Sequence, residues 1–200
     1  MSTFLQARFL SSAAQPRDFP PESGPEVAFA GRSNVGKSSA INALAGRRRL
    51  AFASKTPGRT QTINFFDLGG QARLADLPGY GYAAAPKAML ATWDNLIGGY
   101  LTGRRSLAAV VLLTDARRPL MANDRHFLEW LRQRPVPRLV LLSKADKLSR
   151  AERAKALAAT RQGLDDAALS SDVVLFSSKT GEGIDEVRER LEVWLRGPRH

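Results

Sequence analysis

The 200-residue sequence has no cysteine. Disulfides and thiolate metal sites are thereby excluded, and a reducing compartment suits the chain. His126 stands among no other candidate ligands and reads as an exposed helix residue, not part of a metal site. Long apolar runs are missing too. The longest, Leu107 to Leu113, falls far short of the ~20 residues that cross a bilayer. Gln6 and Arg8 interrupt the early apolar pairs, so no secretory signal is read in residues 1–25. Acidic residues are few, 19 against 30 lysines and arginines, which leaves a formal charge of +11. A chain that repels itself this strongly is expected to meet a polyanion. The bland alternative is a solvated basic surface. Arginines group at Arg47-Arg48-Arg49, Arg104-Arg105 and Arg117-Arg118. No helix pairs a strongly basic face with a strongly apolar one, so a membrane partner is not expected.

What is present begins with Gly31-Arg32-Ser33-Asn34-Val35-Gly36-Lys37-Ser38-Ser39. Glycine, any four, glycine-lysine-serine is the phosphate-loop pattern. The glycines let backbone amides approach a dense anion closely. Lys37 is expected on the outer phosphates and Ser38 on a magnesium ion. A helix opening near Lys37 adds its positive end. Glu26 to Ala30 reads as the strand entering the loop, and Ser39 to Ala45 as the helix leaving it.

Downstream, strands are expected at 63–68, 71–75, 107–113, 138–142 and 172–176. The 63–68 and 71–75 strands form a hairpin around a two-residue Gly69-Gly70 turn. Helices are expected through Met89 to Leu101, Asp124 to Arg132, Ser149 to Gln162 and Ile184 to Trp194, the third opened by a Ser149–Glu152 capping box. Trp93 falls in an apolar stripe and reads as core rather than a base-stacking platform. The alternation predicts a three-layer, doubly wound, mostly parallel six-stranded sheet with one antiparallel strand. Residues 1–25 would be an extended lead-in, 26–196 the domain and 197–200 a short tail. The segment 47–62 is too long for a passive connection and is expected to be functional.

Every polar motif falls at the carboxyl end of an expected strand, where such sheets bind ligands. Asp76-Leu77-Pro78-Gly79 offers a carboxylate for the magnesium shell and a glycine amide near a γ-phosphate. Ser143-Lys144-Ala145-Asp146 suits guanine, whose N1–H and N2–H₂ edge gives a carboxylate two donors that adenine lacks. Phe176-Ser177-Ser178, running into Lys179, would close the base site from the opposite side through backbone amides.

These motifs, with Ser54 to Gln61, Asn64-Phe65-Phe66 and Tyr80-Gly81-Tyr82, resemble the EngB/YsxC family of bacterial ribosome-biogenesis GTPases over nearly the whole chain. The resemblance implies a cytoplasmic protein that binds GTP or GDP with magnesium. It implies as partners the large ribosomal subunit precursor and ribosomal RNA, and a monomer is expected. It places Gly58, Arg59, Thr60, Gln61 and Thr62 in a switch loop. Thr60 is then the magnesium-reaching threonine, joining Ser38 and Asp76 as the metal set, with Thr56 and Thr62 as fallbacks. Ser143 departs from the threonine or asparagine of many relatives but keeps a hydroxyl. Lys37, Asn34, Thr60 and Gly79 are the expected catalytic set. Asn34 resembles the asparagine of potassium-activated GTPases; the alternative is that it bonds its own loop backbone. Tyr80 stands where many small GTPases carry a water-orienting glutamine, so slow unassisted hydrolysis is expected. Two other readings stay open: an RNA-binding module with little hydrolysis, and an ATP-using kinase, which leaves Asp146 unexplained.

Overall fold

The strands sit between two layers of helices. The structure, a computed structural model, describes residues 2–51, 62–80, 87–169 and 171–196, with backbone alone over 87–94. The strands are β1 (Arg8–Ala13), β2 (Glu26–Gly31), β3 (Ile63–Asp67), β4 (Arg73–Asp76), β5 (Leu107–Asp115), β6 (Arg138–Ser143) and β7 (Asp172–Leu175). The helices are α1 (Lys37–Leu44), α2 (Lys87–Gly103), α3 (Ala122–Trp130), α4 (Arg150–Asp166) and α5 (Ile184–Leu195). The sheet order is β1-β3-β4-β2-β5-β6-β7. Only β3 runs against the others.

β2 is buried at every position, as expected of a central parallel strand covered on both faces. On one face α1 and α5 bring Ile41, Leu44, Val187 and Leu191 against Phe29, Val111 and Leu141. On the other, α2, α3 and α4 bring Ile97, Tyr100, Phe127, Leu128 and Leu164 against Ala28, Val110 and Leu142. The side chains alternate between these two cores along each strand. The expected capping box opens α4: Ser149 N–H donates to Glu152 Oε2 at 2.7 Å, and Glu152 N–H donates to Ser149 Oγ at 3.4 Å.

Three expectations need correction. The sheet has seven strands rather than six, because the lead-in supplies β1, paired antiparallel with β3. The turn between β3 and β4 is wider than two residues. Asp67 pairs with Arg73, and Gly69, Gly70 and Gln71 all adopt positive φ. The Arg104-Arg105 pair is split. Arg105 is exposed, whereas Arg104 is 5% exposed and grips the fully buried Glu26. Arg104 Nε and Nη2 donate to the two Glu26 oxygens at 2.9 and 2.5 Å, and the Tyr100 hydroxyl adds a third bond at 3.1 Å. A buried carboxylate needs such partners, so Arg104 serves the fold and is not an open cation. Arg117 is likewise engaged, with Asp115.

Candidate functional site

The phosphate loop leaves the end of β2 under tight steric control. A Cβ on Gly31 would stand 2.9 Å from the Leu113 carbonyl oxygen and from Val35 Cγ1. Gly36 has φ 103°, a conformation side chains rarely adopt, and α1 starts at the next residue. Asn34 has φ 61°, a region asparagine tolerates better than most residues. That gives it a structural reason to be asparagine, besides the cation site and the loop-backbone bond expected from the sequence. Val35 is buried, while Ser38 and the exposed Ser39 sit in the first turn of α1.

Asp76 ends β4, and the Lys37 ammonium donates to its Oδ1. The lysine and the carboxylate thus reach one point between α1 and the end of β4. Past Leu77 and Pro78, Gly79 lies against the phosphate loop; its Cβ would meet Ser33 N at 3.1 Å and Ser33 Cα at 3.2 Å. Tyr80 extends the contact. Its carbonyl accepts from Ser33 N–H at 3.0 Å, and Arg32 and Tyr80 form a parallel bridge.

The Ser143–Asp146 loop is tied to the phosphate loop. Ser143, 3% exposed, places its hydroxyl 2.7 Å from the Val35 carbonyl oxygen and 3.0 Å from that of Thr114. The hydroxyl that serine keeps at this position is used in both contacts. Lys144, at φ 59°, donates from Nζ to the Asn34 carbonyl at 2.9 Å and lies 3.1 Å from Asp115 Oδ2. Hydrogen bonds from Arg117 hold the Asp115 carboxyl well below the usual range, so it stays charged beneath Lys144. Ala145 N–H donates to the Phe176 carbonyl at 3.1 Å, while the Phe176 ring is buried in the core.

Asp146 is oriented by Ser177, whose hydroxyl donates to Oδ1 at 2.8 Å. That bond lowers the Asp146 pKa. Ser177 Oγ accepts in turn from Lys179 and Thr180 N–H groups at 3.3 and 3.2 Å. Ser178 is exposed beside it. The phosphate loop, Asp76 to Gly79, Ser143 to Asp146 and Ser177-Ser178 therefore all lie at the carboxyl ends of the strands, as expected. Thr62 instead donates from Oγ1 to the Asn64 side-chain oxygen at 3.3 Å. Thr56, Gly58, Arg59, Thr60, Gln61 and Tyr82 lie outside the described residues.

Two further residues belong to the site. Asp124, on α3, is fully buried. It accepts from the Tyr80 hydroxyl at 2.8 Å, Thr114 Oγ1 at 3.1 Å and Met121 N–H at 3.0 Å, and stands 3.5 Å from Arg32 Nε. Burial raises its pKa despite those donors. Asn42, on α1, holds the chain that follows the helix: its Oδ1 accepts from Leu50 and Ala51 N–H at 2.9 and 2.8 Å, and its amide donates to Ala51 O at 2.8 Å. Neither carries a sequence signal, because both act on residues brought near only by folding.

The available metal donors, the Ser38 hydroxyl and the Asp76 carboxylate, are hard oxygens. They fit magnesium, which takes one or two protein oxygens and completes its shell with phosphate and water. Among the described residues there is no cluster of three histidine or acidic residues that would hold a metal without a nucleotide.

A phosphate loop on the sheet's first parallel strand, a carboxylate at the next strand end and an oriented aspartate beside a lysine define a guanine-nucleotide-binding protein of the phosphate-loop class. The family described as 50S ribosome-binding GTPase matches residues 26–144. The chain is 54% identical over 190 residues to the probable GTP-binding protein EngB of Thiobacillus denitrificans, covering 95% of this chain and 91% of that one. With EngB of Dechloromonas aromatica it shares 50% over 198 residues, covering 98% and 90%. The chain belongs to the EngB family of GTP-binding proteins. A solved structure of a probable GTP-binding protein EngB superposes with TM-score 0.66 at 26% identity, over 86% of this chain and 98% of that one. Era in complex with MgGDPNP and a 16S ribosomal RNA segment shares the fold, with TM-score 0.66 at 18% identity over 90% of this chain and 57% of that one.

Proposed function

We propose that the protein is a GTP-hydrolysing switch that assists assembly of the large ribosomal subunit. The carrying observation is the tie between the two loops: Ser143 and Lys144 bind the carbonyls of Val35 and Asn34, so base recognition and phosphate binding form one rigid unit. Asp146, held ionised by Ser177, takes the guanine edge. Lys37 and the loop amides from Gly31 to Ser39 hold the phosphates, and Gly79 meets the outermost one. Ser38 and Thr60 would hold magnesium, with Asp76 supporting the ion from further out. The ion supplies neutralising charge on the phosphates. Gly58 to Thr62 belong to the switch loop, and Asn42 fixes the chain that leads toward it at Leu50 and Ala51.

Turnover without a partner is slow on this reading. The phenol of Tyr80 is turned onto Asp124 and supplies nothing equivalent to a carboxamide. The same observation favours the second reading, an RNA-binding module with little hydrolysis. Asn34 would hold a potassium ion that neutralises developing charge, or a group from the ribosomal particle would supply that charge. The partner is ribosomal RNA within the precursor particle, which the charge of +11 suits. The protein acts in the cytoplasm as a monomer.

Co-sedimentation with large-subunit precursors tests this. With a non-hydrolysable GTP analogue the protein should travel with the particle, and with GDP it should be released. Equal retention with both nucleotides, or none with either, contradicts the assignment as a nucleotide switch.

A further inference from the structure

The arginines adjacent in sequence are separated by the fold, while others scattered along the chain are gathered. Arg105 precedes β5, and Arg132, Arg134 and Arg138 surround the turn from α3 into β6. This is the amino end of the strands, away from the nucleotide loops. Arg134 donates to the carbonyls of Thr102 and Arg104 at 3.2 and 2.7 Å. Arg138 donates to those of Leu131 and Arg134 at 2.8 and 3.2 Å. These bonds hold two guanidiniums in place without neutralising them. Elsewhere Arg104, Arg117, Arg153, Arg188 and Arg190 each face a carboxylate. Among the described residues, Arg105, Arg132, Arg134 and Arg138 form no ion pair. Burial and the nearby Arg132 charge both depress the Arg138 pKa, the mark of positive charge left uncompensated.

Arg134 lines a recess of about 260 Å³ together with Leu101, Thr102, Trp130, Leu131 and Gln133, and Arg132 lies in sequence between the last two. The half-buried Trp130 ring packs edge-on to Phe127 at 6.5 Å. An aromatic ring and a fixed guanidinium at one recess, with the exposed Arg105 and Arg132 on the segments that bound it, suit unpaired RNA. Its bases stack on aromatic and arginine planes while its phosphates meet arginine charge. A duplex keeps its base faces covered and does not fill such a recess.

We propose that this face is an RNA-binding surface distinct from the nucleotide site, taking an unpaired base in the recess and the flanking phosphates on Arg105 and Arg132. The choice of ribosomal RNA as its source rests on the function proposed above; the RNA chemistry rests on this face alone.

The test uses the whole protein and a labelled single-stranded RNA of about twelve nucleotides. Arg105 and Arg132 are exposed and have no hydrogen bond to lose among the described residues, so their double change to alanine should leave Tm and GTP affinity unaltered. The plot of log affinity against log salt should lose ~1.4 in slope, ~0.7 for each released contact. The pair Arg150 and Arg161, exposed on α4, is the control for bulk charge. Thr102→Trp, which fills the recess, should remove the preference for single-stranded over duplex RNA. An equal loss of slope from the α4 pair, or an unchanged slope in the Arg105/Arg132 variant, overturns the proposal, as does a wild-type protein that binds no RNA. Normal RNA binding through this face with no co-sedimentation would instead count against the assembly role alone.

Discussion

The Tyr80 hydroxyl donates a 2.8 Å hydrogen bond to Oδ1 of Asp124, joining the first residue after Asp-x-x-Gly to a buried carboxylate on α3. Burial, then the Asp124 charge, push the phenol well above its usual pKa, so it remains a neutral donor. Tyr80→Phe removes that donor and leaves Asp124 under-satisfied, which should cost about 1–3 kcal/mol in urea unfolding. Single-turnover GTP hydrolysis should change little, because the hydroxyl faces Asp124. A tenfold slower turnover at unchanged stability would place the phenol in the chemistry.

Asp124 also predicts a pH dependence. Its folded pKa is raised above the unfolded value of about 3.9, chiefly by burial. The native state therefore binds the proton more tightly, and this group's contribution to stability falls as pH rises from the unfolded pKa through the folded one. Asp124→Asn does not titrate. The stability of wild type relative to this variant should decline with rising pH in that window, measured by urea unfolding at a series of pH values. A relative gain would mean that the donors outweigh desolvation.

With Asp146 as the proposed base-selecting group, its contact with Ser177 makes base choice depend on two residues. Asp146→Asn removes an acceptor and supplies a donor, so GTP should weaken and xanthosine triphosphate should gain. Ser177→Ala keeps the carboxylate but frees its orientation; guanine affinity should fall by roughly tenfold, about the value of one hydrogen bond to a charged group. Unchanged GTP affinity in both variants would remove Asp146 from the base site.

Ser38→Ala should lower triphosphate affinity in magnesium and leave it unchanged with chelator, read by titration of a fluorescent nucleotide. An equal loss in both conditions would assign the hydroxyl to the first turn of α1 instead of the metal.

The strand-end motifs were legible because phosphate and base chemistry restrict residue types over a few adjacent positions, as from Gly31 to Ser39. β5 was legible because its apolar run has one physical meaning. β1 was hidden: it is an edge strand with Arg8, Phe9 and Leu10 exposed, and its partner β3 lies some fifty residues on. The engagement of Arg104 was hidden for a similar reason, since Glu26 stands 78 residues away. Asp124 and Asn42 are ordinary helix residues by pattern. Their roles exist only where Tyr80 and Leu50 are folded against them.

Displacement of a labelled guanosine diphosphate by GTP and by ATP, in magnesium, tests the central claim that Asp146, clasped by Ser177 and tied to the phosphate loop, selects guanine. ATP offers that carboxylate no donor pair, and a site built around such a pair rejects the analogue lacking it by about 10⁴-fold or more. GTP should displace the label, with ATP weaker by about 10⁴-fold or more. Displacement by ATP at concentrations similar to those of GTP would contradict it.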